Sequence, residues 1–87
     1  MRILISTQVK KKYKIYLRKD PKISTKIDNT IARFKESPTY PSLRLHKLKN
    51  KQRELWSLSV SGDIRIIFEY VEDGILIPDI GKHEEVY

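Results

Sequence analysis

The sequence predicts an α+β domain in which an N-terminal strand and an α-helical hairpin pack on an antiparallel sheet. The element order is β-α-α-β-β-β, with room for one extra short strand over 43–48. Three observations carry this expectation. Apolar residues recur at helical spacing from Val9 to Phe34. They change to strict alternation after "SPTYP" (37–41). The 87 residues suffice for one modest core and no second one, so residues 1–87 are expected to be a single domain.

The first element, "RILIS" (2–6), is short, rich in branched residues and followed by Thr7, which suits a strand leading into a helix start. Val9, Tyr13, Tyr16 and Leu17 then mark one helical stripe, with lysines on the opposite side. The break at "KDPK" offers Asp20 as an N-cap and Pro21 at the first helical position, where its missing N–H costs nothing. Ile23, Ile27, Ile31 and Phe34 form the buried stripe of the second helix. Pro38 disfavours helical geometry at Ser37 and ends it. So tight a connection predicts an antiparallel helix pair.

"LRLHKL" (43–48), "ELWSLSV" (54–60) and "DIRIIFEYV" (63–71) alternate as strands do. Matching the apolar faces of the last two pairs Val60 with Ile64, Leu58 with Ile66 and Trp56 with Phe68, around a Ser61-Gly62-Asp63 loop. In that register Ser59, Ser57 and Leu55 oppose Arg65, Ile67 and Glu69, and Arg65 faces away from the helices. "EDGILIPDIG" supplies an Asp-Gly turn and a final strand, Ile75 to Ile80.

Composition narrows the function. Lys and Arg number 18 against 11 Asp and Glu, a formal charge of +7 with a pI near 9.7, which favours polyanionic partners. Basic residues gather at 10–14, at 17–19 and through Arg44, Lys47, Lys49, Lys51 and Arg53, while the acids concentrate after residue 54. With no cysteine there is no disulfide framework and no thiolate nucleophile. Two histidines alone make a poor metal cage, so chemistry without metal or cofactor is expected. No apolar run has the length of a membrane span, and the N-terminus lacks a secretory pattern, so the expected location is the cytoplasm.

Individual residues then offer chemistry. Arg65, within an apolar strand, suits either a phosphate or a salt bridge to Glu69 or Asp63. His46 lies among Arg44, Lys47 and Lys49, and His83 follows Gly81, where the strand ends and side chains can turn toward a groove. Asp63 fits a turn, and Tyr87 closes the chain.

Taken together, "LHKLKN…LWSLSVSGDIRIIFEYVEDGILIPDIGKHEEVY" resembles the RelE/ParE superfamily of bacterial toxin–antitoxin toxins, in particular the RelE/StbE or YafQ-like branch. The resemblance covers the whole chain in element order and residues 45–87 in motif: "L-x-x-L", the Trp before the hairpin, "G-D-x-R-I-I-[FY]" and the closing "G-x-H-[DE]-E-V-Y". It implies a small basic cytoplasmic toxin that cleaves mRNA on the ribosome and is neutralised by a cognate antitoxin. Members of the ParE type instead poison DNA gyrase. His46 stands where YafQ-like toxins place a functional histidine, Asp63 and His83 where that branch has an acidic and a C-terminal catalytic residue, Arg65 at the phosphate-binding arginine, and Tyr87 at the closing aromatic. The sequence departs from the pattern at Asn50, which replaces a glycine, at Ser59, which replaces a further histidine, and at Trp56 and Leu58, where RelE carries lysines.

The resemblance thus implies metal-free RNA cleavage by attack of a ribose 2′-OH on its own 3′ phosphate. Arg65 would stabilise the phosphate, and His83 would protonate the leaving 5′ oxygen. His46 or Asp63 would act as the base, and Tyr87 would position a nucleobase. Lys10, Lys11, Lys12, Lys14, Arg44, Lys49 and Lys51 would contact RNA phosphates. The implied partners are the antitoxin, the ribosome and mRNA, with no membrane and no small-molecule cofactor. A gyrase poison, or a binding module of the same fold with little catalysis, are the other readings.

Overall fold

In the computed structural model, which describes residues 1–86, strand β1 (Arg2–Ile5) leads into helices α1 (Thr7–Lys19) and α2 (Pro21–Glu36). A 3-10 turn (Pro41–Leu43) and strands β2 (His46–Lys47), β3 (Trp56–Ser59), β4 (Ile64–Val71) and β5 (Gly74–Lys82) follow, and the short helix α3 (His83–Val86) ends the described chain. The strands form one five-stranded sheet in the order β1-β5-β4-β3-β2. Pairing is antiparallel except between β1 and β5, which run parallel. The α+β expectation holds, the short strand near residue 46 is present, and the parallel edge makes the sheet mixed. No helix among the described residues is long and apolar enough to cross a membrane.

The helical hairpin forms where the sequence places it. Ser6 caps α1 by accepting the Val9 N–H at 3.1 Å, and its own hydroxyl donates to the Pro78 carbonyl at 2.9 Å, which fixes the helix start to β5. Pro21 opens α2 as expected, but Asp20 contributes no side-chain cap. Its backbone does the joining instead: the Asp20 N–H donates to Tyr16 O at 2.7 Å, and its carbonyl accepts the Ile23 N–H at 2.9 Å. Tyr13 Oη donates to both Asp28 carboxylate oxygens at 2.9 and 3.0 Å and so ties α1 to α2. That bond to the carboxylate is the main cause of the raised phenol pKa, with burial and the carboxylate charge adding to it.

Val9, Ile27 and Phe34 are buried, with Tyr13, Tyr16, Ile23 and Ile31 packed at the margin of the same core. Leu17 departs from the expected stripe and is 54% exposed. It lies one position, about 100°, round the helix from Tyr16 and so turns off the sheet. Across the sheet, Leu58, Ile66, Phe68, Ile75, Ile77 and Ile80 complete the core, and Phe34 meets Phe68 edge to face with centroids 5.1 Å apart.

The short strand within 43–48 begins only at His46. Pro41 starts a 3-10 turn that buries Leu43, Arg44 takes a left-handed backbone (φ 48°), and only His46 and Lys47 pair with β3. The break at Arg44 interrupts the alternation that Leu43 and Leu45 suggest. The hairpin between β3 and β4 has the expected register, Trp56 opposite Phe68, Leu58 opposite Ile66 and Ser59 opposite Arg65, and Val60 N–H donates to Ile64 O across its mouth at 2.9 Å.

β5 carries the main irregularity. Glu69 faces Leu76 while Ile67 faces Asp79, so β5 holds one more residue than β4 over this stretch. Pro78, which has no N–H to give, sits within the extra span. Asp79 Oδ1 accepts the Ile80 N–H at 2.9 Å and the Lys12 ammonium at 2.7 Å, and Lys12 also donates to Ile80 O at 2.9 Å. The bulge lets Ile75, Ile77 and Ile80 all face the core although they are spaced two and then three apart.

At the other end of β5, Gly74 pairs with Arg2, and a Cβ there would overlap the Arg2 carbonyl. Gly74→Ala is therefore expected to cost about 1–3 kcal/mol or to detach β1. Urea unfolding of the variant checks this, and an unchanged midpoint would show that β1 can shift at no cost.

Candidate functional site

Strand alternation puts Ser59, Arg65 and Gly81 in one cross-strand row, and His46, Ser57, Ile67 and Asp79 in the next row on the same, outer side of the sheet. Ser57 and Ile67 are buried although they lie outside the main core. Helix α3 packs against β4 and β5, and Val86 shares a cleft with Leu48, Lys49, Asn50 and Leu55. The C-terminal segment thus folds back over the outer side.

Arg65 is half-buried, and its Nη1 donates to Ser61 O at 2.9 Å and to Ile64 O at 3.1 Å. These bonds hold the guanidinium against the hairpin tip. Among the described residues, Nε and Nη2 of Arg65 have no protein hydrogen-bond partner, and neither Glu69 nor Asp63 pairs with it. Glu69 is taken by Arg53, at 3.2 Å to Nε and 3.1 Å to Nη2. The edge of the fork suited to bidentate binding of an oxyanion therefore has no protein acceptor among the described residues.

Two further candidates join Arg65. The His83 N–H donates to Asp63 O at 3.0 Å, so the hairpin turn and the end of β5 are fastened together beside Arg65. Gly81, directly opposite Arg65, has φ 149°, a backbone that side-chain-bearing residues rarely adopt. His83 is exposed, as is Asp63.

His46 stands farther off, two strands and two residues away, or roughly 12 Å between backbones from ordinary strand dimensions. Its Nδ1 lies 2.9 Å from Arg44 O. A carbonyl only accepts, so Nδ1 carries the hydrogen, and in the neutral ring the lone pair falls to Nε2. Tyr87 lies outside the described residues.

The expected RNA contacts divide between two places. Lys10, Lys11 and Lys14 are exposed on α1, near the β5 side of the sheet, whereas Arg44, Lys49 and Lys51 lie at the β2 side. Lys12 differs from its neighbours because its ammonium is engaged by Asp79 and the Ile80 carbonyl, which gives it a structural task in the bulge. Among the described residues, no group of His, Asp and Glu has the arrangement of a metal site.

Residues not singled out from the sequence also shape the site. Arg53 pairs with Glu69, one of the two carboxylates the sequence offers to Arg65. The signal for it was present in the hairpin register, since Leu55 opposite Glu69 places Arg53 two residues along the same side. Asp79 had a weaker signal, an acid directly after a proline within a strand.

No protein-family model matches the sequence, and no curated protein matches it. Solved structures do match. The YoeB dimer from Staphylococcus aureus superposes with a TM-score of 0.82 at 20% identity, covering 95% of this chain and 97% of that one. The YoeB/ParE toxin from Agrobacterium tumefaciens gives 0.80 at 18% identity over 95% and 99% of the two chains. YafQ from E. coli strain BL21(DE3) gives 0.78 at 17% identity over 99% and 97%. YoeB has also been solved in complex with YefM, and YafQ with DinJ. The structural neighbours of this chain include a YoeB/ParE toxin, YoeB and YafQ, and it shares their fold over 95–99% of its length.

Proposed function

We propose that this chain is the toxin of a toxin–antitoxin pair, a ribosome-dependent endoribonuclease that cuts mRNA without metal and so halts translation in the cytoplasm. The observation that carries the reading is the unoccupied Nε/Nη2 edge of Arg65, held by its other nitrogen beside a hairpin turn to which His83 is fastened. The shared fold adds support, as do the complexes in which YoeB and YafQ meet YefM and DinJ.

The assigned roles follow from chemistry. The ribose 2′-OH attacks the adjacent phosphorus, and negative charge grows on the non-bridging oxygens. Arg65 presents two N–H donors to that charge. His83 donates a proton to the departing 5′ oxygen, with Asp63 keeping the segment in place. His46 or Asp63 takes the proton of the 2′ hydroxyl, and with Nδ1–H bonded to Arg44 O the neutral His46 ring carries its lone pair on Nε2. The separation of His46 from Arg65 suits a nucleotide lying between them. Tyr87 is assigned to stacking on a base next to the cut. Lys10, Lys11, Lys14, Arg44, Lys49 and Lys51 grip ribosomal or messenger phosphates on both flanks. An antitoxin covers the basic cleft.

The test is induction in bacteria with and without a neighbouring antitoxin, followed by mapping of mRNA 5′ ends. Ribosome-dependent cuts support the proposal. DNA breaks would select a gyrase poison, and growth without effect would select a binding module.

Arg65→Ala is expected to lower the cleavage rate by about two to three decades, the usual weight of one charged transition-state donor. Because Arg65 also holds the hairpin tip, the variant should lose about 1–3 kcal/mol of stability. Measuring both quantities is necessary: lost stability with a normal rate would make Arg65 purely structural. His83→Gln is expected to lower the single-turnover rate by about 10²- to 10⁴-fold while ribosome affinity and its salt dependence stay as in the parent. An unchanged rate would leave His83 without a role in the reaction, and an equal loss of rate and affinity would make it a binding contact.

A further inference from the structure

A second basic pocket lies where α2 meets the β3 side of the sheet. It has a volume of about 270 Å³ and is lined by Lys26, Asn29, Thr30 and Arg33 of α2 together with Ser42, Leu43, Ser59 and Val60. Lys26, Asn29 and Arg33 share one stripe of the helix, since steps of three and four bring side chains to one side. The donors of the lining are the Lys26 ammonium, the Arg33 guanidinium, the Asn29 carboxamide and the Ser42 hydroxyl, while the Thr30 and Ser59 hydroxyls donate to Lys26 O and Ser61 O. Lys26 and Arg33 have no carboxylate partner among the described residues.

Arg33 is held in position. Its guanidinium lies over the Tyr40 ring, 4.4 Å from the centroid, and Nη1 reaches Ser42 Oγ at 3.5 Å. Stacking on an aromatic face costs the fork none of its in-plane donors, so Tyr40 orients the cation while leaving its hydrogen bonds for a ligand. Lys26 and Arg33 lie two turns apart on α2, about 10 Å along the axis, and an anion between them is attracted by both.

Ser59 connects this pocket to the site described above. It lines the pocket, and it is also the direct cross-strand partner of Arg65. Arg65 faces away from the helices and the pocket lies on the α2 side, so the edge of β3 at Ser59 and Val60 stands between the two.

We propose that this pocket holds a backbone phosphate of the RNA strand being cut, where that strand passes round the β3 edge from Arg65, with Lys26 and Arg33 as its ligands and Tyr40 as a positioning residue. The proposal rests on the reading of the chain as an RNA-cleaving protein. RNA is favoured over an acidic peptide because the lining offers donors for oxyanions but little apolar surface, only Leu43 and Val60, to anchor a peptide side chain.

The experiment measures binding of a short, fluorescently labelled single-stranded RNA, made uncleavable by 2′-O-methylation, to the purified chain across a salt series. The Lys26→Ala/Arg33→Ala double variant is expected to bind about tenfold more weakly, with a salt slope smaller by about 0.7–1.4. A Lys19→Ala/Lys35→Ala control removes the same formal charge from exposed helix positions outside the pocket and is expected to change affinity much less. Tyr40→Leu is expected to weaken binding while leaving the salt slope as in the parent, which a merely electrostatic role cannot produce. Equal weakening in both double variants, an unchanged pocket variant, or a parent that does not bind RNA overturns the proposal. So does a pocket variant that keeps RNA affinity but loses binding to a polyglutamate peptide. Because the readout is binding, a parent that grips RNA through this pocket yet never cuts would sink the nuclease reading alone, and a cutting enzyme with an unaffected pocket variant would sink the pocket alone.

Discussion

The bulge in β5 is the constraint on which the rest of the structure depends. Had β5 run without its extra residue, continuing from Glu69 opposite Leu76, Ile67 would meet Pro78, Ile66 would meet Asp79 and Arg65 would meet Ile80. A carboxylate would then enter the core in place of Ile80, and a bulky side chain would stand where Gly81 now lies opposite Arg65. The Asp79 bond to the Ile80 N–H and the Lys12 ammonium stabilise the alternative in which apolar residues stay inside on both sides of the irregularity.

This one local distortion links core and site. By shifting the phase of β5, it keeps Ile75, Ile77 and Ile80 with the helices and delivers Gly81, Lys82 and His83 to the hairpin tip. Lys12 connects the helical hairpin to the same point, so α1, the core and the Arg65 region are joined through a few polar atoms. The arrangement also separates two uses of positive charge. Lys12 is partnered and half-buried, whereas Lys10, Lys11 and Lys14 remain exposed on the helix.

Much of this was legible in the sequence where neighbouring residues decide the outcome. Val9 to Phe34 and the Ser6 start determine the helices, because capping and periodicity are local. The β3–β4 register follows from Trp56, Leu58 and Val60 matched to Phe68, Ile66 and Ile64, and with it the outward placement of Arg65. The bulge was not legible, since Pro78 hints at an irregularity but Lys12, far away in sequence, helps to choose which residues flank it. The parallel pairing of β1 with β5 depends on the whole intervening chain. The short strand expected within 43–48 is present only from His46, because Arg44 takes a left-handed backbone that no alternation pattern reveals. At the candidate site, Arg65, Asp63 and His83 do come together, His46 stands across the sheet from them, and the Lys26–Arg33 pocket became visible only once α2 was set beside Ser59.

If a phosphate bound at Arg65 is cut by the neighbouring 2′ hydroxyl, the chemical ends of the products are fixed. The most direct measurement is therefore the end-group chemistry of mRNA cut by the purified chain on ribosomes, compared with a message carrying a 2′-deoxy sugar at the cut site. The account predicts 5′-hydroxyl ends, with a cyclic or opened phosphate on the other fragment, and no cutting at the deoxy position. Ends bearing a 5′ phosphate, or cleavage that persists without the 2′ hydroxyl, would contradict it.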